Sequence, residues 1–191
     1  GVKAAVERYG TQFSTSRAWL SVAPYGPAEE LLSKLFGGAA MLTPSTTMGH
    51  ASVLMTIVEE KDAVILDHQV HTSVQQGATY GRANGALVEV VRHGDVARLE
   101  ERVDQLCRTR RRVYYCIDGV FSMYGDLPDH ALIHRLMDTY ENLWLYVDDA
   151  HGMSIEGLHG RGVHLTRFGH HPRLVMGTSL NKAFAAGGGC F

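Results

Sequence analysis

The order of the hydrophobic segments is the feature that most restricts the fold of this chain. Short apolar runs rich in β-forming residues alternate with stretches of helical pattern, as expected of βαβ units around a mostly parallel sheet. The predicted strands cover residues 39–43, 63–66, 87–91, 112–117, 143–147 and 174–177. The predicted helices cover residues 27–36, 49–58, 71–78, 96–107 and 130–140. We expect Pro27 at a first helical position and Asp95 at a helix N-cap.

The composition is that of a folded domain. Of the 191 residues, 45% are hydrophobic and 20% are charged, so the chain can bury a core and is not compositionally disordered. Neither an internal repeat nor a linker divides the sequence, and we predict one domain over residues 1–191. The chain stops at GGGCF, directly after a candidate ligand loop, so we also expect it to be a fragment of a longer protein.

Charge and cysteine content exclude several classes of protein. A net charge of −2 provides no basic field for nucleic acid or anionic lipid, and the basic run 108–112 is interpreted as a solvated helix end. The three cysteines have no CxxC spacing, which argues against a disulfide framework and a zinc knuckle. The sequence contains neither a signal-peptide pattern nor a membrane-spanning apolar run. We therefore expect a cytoplasmic protein that binds neither nucleic acid nor membrane.

Candidate ligand-binding residues follow the predicted strands, because loops at the carboxyl ends of parallel strands build the ligand site. The strand at 143–147 leads directly into Asp148, Asp149 and His151. Asp148 could pair with a protonated cofactor ring nitrogen. A magnesium-binding aspartate pair and a simple strand-end cap remain alternatives, and Asp149 could equally bind backbone amides of the turn.

A second loop follows the strand at 174–177 and carries hydroxyl groups and a lysine. The hydroxyls of this loop could hold a phosphate, and Lys182 comes three residues after Ser179. A lysine is ordinarily a solvated surface charge. In a desolvated loop beside cationic groups its pKa falls, and the neutral amine can then form an imine.

Two further loops carry weaker signals. In the segment 118–126, Gly119 and Gly125 permit sharp turns and a close approach to a ligand. The hydroxyl-rich segment 43–50 opens a helix whose free N–H groups could bind an anion, although an ordinary N-cap explains it equally well. Neither segment identifies a ligand by itself.

Three motifs occur together in a recognisable order: GVFSMYGD at 119–126, VDDAHG at 147–152 and TSLNKAF at 178–184. With them, the chain from about residue 10 to its last residue resembles the α-oxoamine synthases of pyridoxal-5'-phosphate (PLP) fold type I. The resemblance implies a three-layer α/β large domain with a mostly parallel central sheet. The C-terminal domain of that fold type would be absent from this chain.

The resemblance also implies roles for single residues. Lys182 matches the lysine that holds PLP as a Schiff base, and Asp148 matches the partner of the ring nitrogen. His151 matches the residue that binds the phenolic oxygen of the cofactor. His71 matches the imidazole that stacks on the pyridine ring. Lys182, His71 and Asp148 are thus the predicted catalytic residues.

Other positions match residues around the phosphate and the ring. Ser179 and Thr178 match phosphate-binding hydroxyls, and Thr46 and Thr47 fall where loop amides bind the same phosphate. Ser122 matches a serine near the cofactor ring.

The sequence departs from the family pattern at three places. The family usually has Ser-Gly-aromatic where Ser45, Thr46 and Thr47 stand, so a backbone contact survives there more easily than a side-chain contact. Tyr25 replaces a common histidine, and Asn181 replaces a glycine before the lysine. We therefore expect a specialised branch of the family.

The activity implied by the resemblance is the condensation of an amino acid with an acyl thioester, either acyl-CoA or acyl carrier protein, to give an α-amino ketone. The implied assembly is a homodimer. Another fold type I reaction, such as transamination or elimination, and a truncated chain without activity are the alternatives. Metal-dependent hydrolysis by the aspartates and histidines ranks low because no compact ligand pattern such as HExxH occurs, and no metal is predicted.

Overall fold

The computed structural model describes residues 1–11 and 16–191. The chain divides into two compact units, Gly1–Ala40 and Met41–Phe191. The first unit contains helices α1 (Val2–Tyr9) and α2 (Tyr25–Phe36). The second unit contains the sheet and the candidate site. A single domain over residues 1–191 remains a prediction.

The described part of the second unit forms a seven-stranded sheet with the strand order β1-β7-β6-β5-β4-β2-β3. All pairings within the group β2 to β6 are parallel. Strand β7 pairs antiparallel with both β6 and β1. The prediction of an α/β fold with a mostly parallel sheet is confirmed. The strands are β1 (Leu42–Thr43), β2 (Ala63–Asp67), β3 (Leu87–Val91), β4 (Val113–Asp118), β5 (Leu143–Asp148), β6 (Leu174–Ser179) and β7 (Gly189–Cys190).

Helices cover both faces of this sheet, because side chains of a buried parallel strand point alternately to its two sides. One apolar cluster joins β4 and β5 to α5 and α6 through residues such as Ile117 and Leu145, and the other joins the same strands to α3 and α4 through Cys116 and Tyr146. Burying one large apolar side chain contributes about 1.5–3 kcal/mol. The helices of this unit are α3 (Thr46–Ile57), α4 (Thr72–Ala83), α5 (Val96–Cys107), α6 (His130–Thr139), α7 (Val163–Arg167) and α8 (Leu180–Ala183), with a 3-10 turn at Leu158–Gly160.

Capping explains where several helices begin. Asp95 accepts a hydrogen bond from the Arg98 N–H, which confirms it as the N-cap of α5. Pro27 was expected at the first position of its helix, but α2 begins at Tyr25, so that prediction is wrong by two residues. The short elements α7, α8 and β7 were not predicted, because segments of two to five residues carry too little periodic pattern.

Helix α4 runs five residues beyond its predicted end at residue 78, in spite of two glycines. A Cβ on Gly77 would lie 2.8 Å from Leu54 Cδ1 and 2.9 Å from the His50 carbonyl oxygen. A Cβ on Gly81 would lie 2.7 Å from Val58 Cγ1. These glycines therefore let α3 and α4 pack closely, and this packing outweighs their low helix propensity.

Within the described ranges, no helix is both long enough and apolar enough to cross a membrane.

Candidate functional site

A pocket of about 140 Å³ opens at the carboxyl ends of the parallel strands, where the topology predicts a ligand site. The loops after β2, β5 and β6 meet there with the beginning of α3. Most of the residues singled out from the sequence thus lie around one cavity. Its lining residues are Ser45, Thr46, Thr47, His71, Ser73, Asp148, Ala150, Ser179, Asn181 and Lys182.

Asp148 is the last residue of β5 and is only 5% exposed. Its Oδ2 atom lies 2.9 Å from His50 Nε2, and its Oδ1 accepts the Ala150 N–H at 3.0 Å. Burial by itself would raise the pKa of Asp148. The hydrogen bond from His50, together with the Ala150 N–H and the nearby charge of His71, outweighs burial and holds this pKa below its usual value. Asp148 is therefore a buried, ionised carboxylate at the pocket wall.

No role was predicted for His50, the second residue of this network. It lies on the first turns of α3 with no exposed surface, and its Nδ1 is 2.8 Å from the Tyr146 hydroxyl. Tyr146 precedes Asp148 by two residues and so faces the same side of β5. That period of two could have paired Tyr146 with Asp148 from the sequence, but nothing local indicated that His50 would join them.

His71 caps the N-terminus of α4 beside this carboxylate. Its ring Nδ1 is 2.7 Å from the Ser73 hydroxyl and accepts the Ser73 N–H at 3.3 Å. The same Nδ1 lies 4.0 Å from Asp148 Oδ2. The ring is half-exposed and lines the pocket. Its stacking on a cofactor ring stays a prediction.

Asp118 ends β4 in register with Asp148 on the neighbouring strand. Its Oδ1 accepts the His71 N–H at 2.9 Å. Burial raises the pKa of Asp118 to about 8, against the opposing effect of that single N–H, and the nearby charge of Asp148 raises it further. Asp118 is therefore protonated at neutral pH.

The opposite end of the pocket is formed by the N-terminus of α3. Ser45 is the N-cap, and its hydroxyl accepts the Met48 N–H at 3.1 Å. No described residue accepts a hydrogen bond from the N–H groups of Thr46 and Thr47, which line the pocket. A Cβ on Gly189 would lie 2.8 Å from the Thr46 nitrogen, so this glycine lets β7 approach the loop. The geometry suits an anion at a helix N-terminus.

Ser179 and Lys182 come from the loop after β6. Ser179 is buried, and its hydroxyl accepts the Asn181 N–H at 3.2 Å. Lys182 lies in α8 and lines the pocket, and the described residues provide no hydrogen-bond acceptor or ion-pair partner for its amine. The loop around Lys182 is not desolvated, because Lys182 is exposed.

Three residues predicted to contact the cofactor are not among the pocket-lining residues. Thr178 is buried, and its hydroxyl donates to the Asp149 carbonyl at 3.3 Å and to Met153 Sδ at 3.1 Å. Ser122 lies in an exposed loop. His151 is exposed. Partial burial and the charge of Lys182 lower its pKa, and the charge of Asp148 opposes them. Cofactor contacts of these residues stay predictions.

Asp149 has a different environment from its neighbour. Its Oδ2 accepts the His164 N–H at 3.2 Å, whereas its buried Oδ1 has no hydrogen-bond partner among the described residues. Burial raises the pKa of Asp149 to about 7, and the charge of Asp148 adds to this. This arrangement favours the interpretation that Asp149 organises the turn.

Comparison with known proteins agrees with this geometry. The model for the family "Aminotransferase class I and II" matches residues 9–191. The chain belongs to this family. The 8-amino-7-oxononanoate synthase of Thermosipho melanesiensis (strain DSM 12029 / CIP 104789 / BI429) is 35% identical over 191 residues, covering 98% of this chain and 47% of that protein. This relative supports the predicted resemblance to the α-oxoamine synthases.

Solved structures confirm the fold. The serine palmitoyltransferase of Sphingomonas wittichii superposes with a TM-score of 0.86 at 24% identity, covering 98% of this chain and 46% of that one. A second serine palmitoyltransferase structure, described as a complex with a PLP internal aldimine, gives the same TM-score and the same coverage. The chain thus spans about half the length of these relatives, consistent with the large domain of fold type I.

Proposed function

We propose that this chain binds PLP in the pocket at the strand ends. We further propose that the protein condenses an amino acid with an acyl thioester to give an α-amino ketone. One observation carries the proposal: an ionised aspartate, a lysine without an ion-pair partner among the described residues, and a helix N-terminus with free N–H groups line the same cavity. The motif resemblance and the family membership support it.

The residues fit the two ends of this cofactor. The phosphate would be held by the Thr46 and Thr47 amides and the Ser179 hydroxyl, since a helix N-terminus favours negative charge. Asp148 would pair with the protonated ring nitrogen, because its pKa is below the usual value despite burial. Lys182 would bind the cofactor covalently.

When bound, PLP supplies an electron sink for negative charge at the α-carbon of the amino acid. Asp148 holds a fixed negative charge at the pocket wall, which favours that sink. The Nζ atom of Lys182 accepts the proton from the α-carbon of the substrate, because it lines the same pocket. His71 would restrict the orientation of the ring by stacking, and its backbone N–H donates to Asp118.

Cofactor attachment is tested by borohydride reduction of the protein mixed with PLP, followed by peptide mass mapping. We expect the added cofactor mass on Lys182 and a visible absorbance band that is lost in Lys182→Ala. Lys61→Ala, which replaces an exposed lysine that does not line the pocket, is the matched control and should keep both signals. A band and a mass label that persist in Lys182→Ala would overturn the assignment.

Reaction type is tested by product analysis with candidate amino acids and acyl-CoA. Release of free CoA together with an α-amino ketone is the expected result. Transamination is the second candidate, because the matching family model is named for aminotransferases. An amino acid that is converted to its oxo acid, without CoA release, would replace the condensation by that reaction.

The assembly and location proposed with this function are a cytoplasmic homodimer, on the basis of the family resemblance and the composition. Sedimentation of the purified protein tests the dimer, and a monomer at every accessible concentration would contradict it.

A further inference from the structure

A chain of three buried side chains runs from the α3/α4 side of the sheet to the pocket. The Tyr146 hydroxyl is 2.8 Å from His50 Nδ1, and His50 Nε2 is 2.9 Å from Asp148 Oδ2. All three residues are at least 95% buried. Only Asp148 of the three lines the pocket, so His50 and Tyr146 can act there only through it.

The available hydrogen-bond partners determine which atoms donate and which accept along this row of three side chains. Burial raises the pKa of Tyr146 well above its usual value, so its hydroxyl keeps its proton. Among the described residues, the sole acceptor for that proton is His50 Nδ1. A buried hydroxyl without an acceptor costs about 1–3 kcal/mol. Nδ1 therefore accepts, and Nε2 carries the proton that is donated to Asp148.

Packing holds the imidazole in this orientation. The Phe191 ring meets it edge-on, with centroids 4.9 Å apart and planes at 86°. A Cβ on Gly177 would lie 2.9 Å from His50 Cε1 and 2.3 Å from Phe191 Cε1, and a Cβ on Gly49 would lie 1.9 Å from Phe191 Cε2. Two glycines thus make the space that these rings fill, and the imidazole has little freedom to turn.

We propose that His50 is a positioning residue, oriented and kept in its Nε2-protonated form by Tyr146, which holds Asp148 ionised and aimed into the pocket. This inference rests on the proposed function, since it assigns His50 to the carboxylate that would face the cofactor ring. The charged and titratable side chains nearest Asp148 are His50, in direct contact, and His71, at 4.0 Å. Asp118, Asp149 and His151 also interact with its charge. The Ala150 N–H holds the other carboxylate oxygen.

The tautomer is tested first, by ¹⁵N-labelled histidine NMR of the protein without added cofactor. We expect the proton of His50 on Nε2 and an accepting Nδ1. Tyr146→Phe should change the Nδ1 shift because Nδ1 loses its donor. A wild-type His50 with the proton on Nδ1, or with both nitrogens protonated, would overturn the inference whether or not PLP binds.

The effect on the pocket is tested with His50→Phe, which fills the space without a donor, and His50→Gln, which restores an N–H. We expect His50→Phe to weaken PLP binding about tenfold and to shift the pH midpoint of the bound-cofactor absorbance by about one unit, as the loss of a charge-assisted hydrogen bond implies. His50→Gln should stay within about threefold of wild type. The matched control is His164→Phe, at a histidine that is also fully buried but packs on Phe168.

Failure of this inference differs from failure of the proposed function. A wild-type protein that binds no PLP would refute the function itself. Wild-type binding with an unchanged affinity and pH midpoint in both His50 variants would refute the role of His50 alone. If His50→Phe does not fold, the ¹⁵N shift of His50 Nδ1 in Tyr146→Phe still decides the question.

Discussion

The ends of β4 and β5 carry two aspartates in equivalent places with opposite chemistry. Asp118 and Asp148 are paired in register on adjacent parallel strands, and their exposed fractions are 2% and 5%. The pKa of Asp118 is raised to about 8, whereas that of Asp148 is lowered. Burial is therefore nearly the same for both, and it does not decide which one is ionised.

Hydrogen-bond donors make the difference. Asp148 receives a ring N–H from His50 in addition to a backbone N–H, whereas the described donor to Asp118 is one backbone N–H from His71. The negative charge of Asp148 then raises the pKa of Asp118 further. One ionised and one neutral carboxyl side by side suit the proposed role of the pocket, in which a single positive ring nitrogen would be stabilised.

The largest expected effect is a loss of turnover when Asp148, the ionised aspartate of the two, is removed. Asp148→Ala should leave some PLP binding but lower turnover at least about a hundredfold, as losses of a preorganised charged group do. Asp118→Asn is the matched control and should retain most turnover, because a neutral side chain replaces a neutral carboxyl. The measurement is kcat with saturating substrates. Full activity of Asp148→Ala would contradict a functional difference between Asp148 and Asp118.

A smaller effect, on stability, is expected at the glycines around Asp149, the third carboxyl of this region. A Cβ on Gly119 or Gly152 would lie 2.0 Å from Asp149 Oδ1. Asp149 is buried and confined between them, so we expect Gly152→Ala to lower the free energy of unfolding by about 2 kcal/mol in urea titration. Gly26→Ala, where the added Cβ meets nothing within 4 Å, is the control and should cause no loss. An unchanged urea midpoint for Gly152→Ala would mean that Asp149 moves freely.

A pH dependence of stability is also expected, due to Asp118. The carboxyl titrates near pH 4 in the unfolded chain and at about 8 in the folded one. Between these values the unfolded chain loses a proton that the folded chain keeps, so this contribution to stability is lost as the pH rises. Asp118→Asn should gain at least about 1 kcal/mol over wild type between pH 5 and pH 8. A gain that does not change with pH, or an equal change in the exposed control Asp138→Asn, would contradict the raised pKa.

Much of the site could be predicted because it depends on residues near strand ends. The alternation of strands and helices predicted the parallel sheet, and the sheet brings its strand-end loops together. Asp148, Lys182, His71 and Ser179 accordingly line one pocket. Each of these residues follows the end of a strand by only a few positions. Its place in the fold can therefore be predicted once the strand is predicted.

Other features depended on contacts that local sequence does not encode. The contacts of the Thr178 hydroxyl with Asp149 and Met153 and the exposure of Lys182 follow from packing, which the motif does not encode. The bond between His50 and Asp148 joins residues 98 positions apart. The space for it depends on Gly49 and Gly177, which meet at Phe191.

By itself, the sequence determined the fold class and which loops carry the site, because hydrophobic periodicity sets the strands and parallel topology gathers their ends. Only the tertiary structure decided which carboxyls carry charge. Ionisation of a buried aspartate depends on the donors that packing brings within about 3 Å, and for Asp148 the decisive donor is His50, on a different helix.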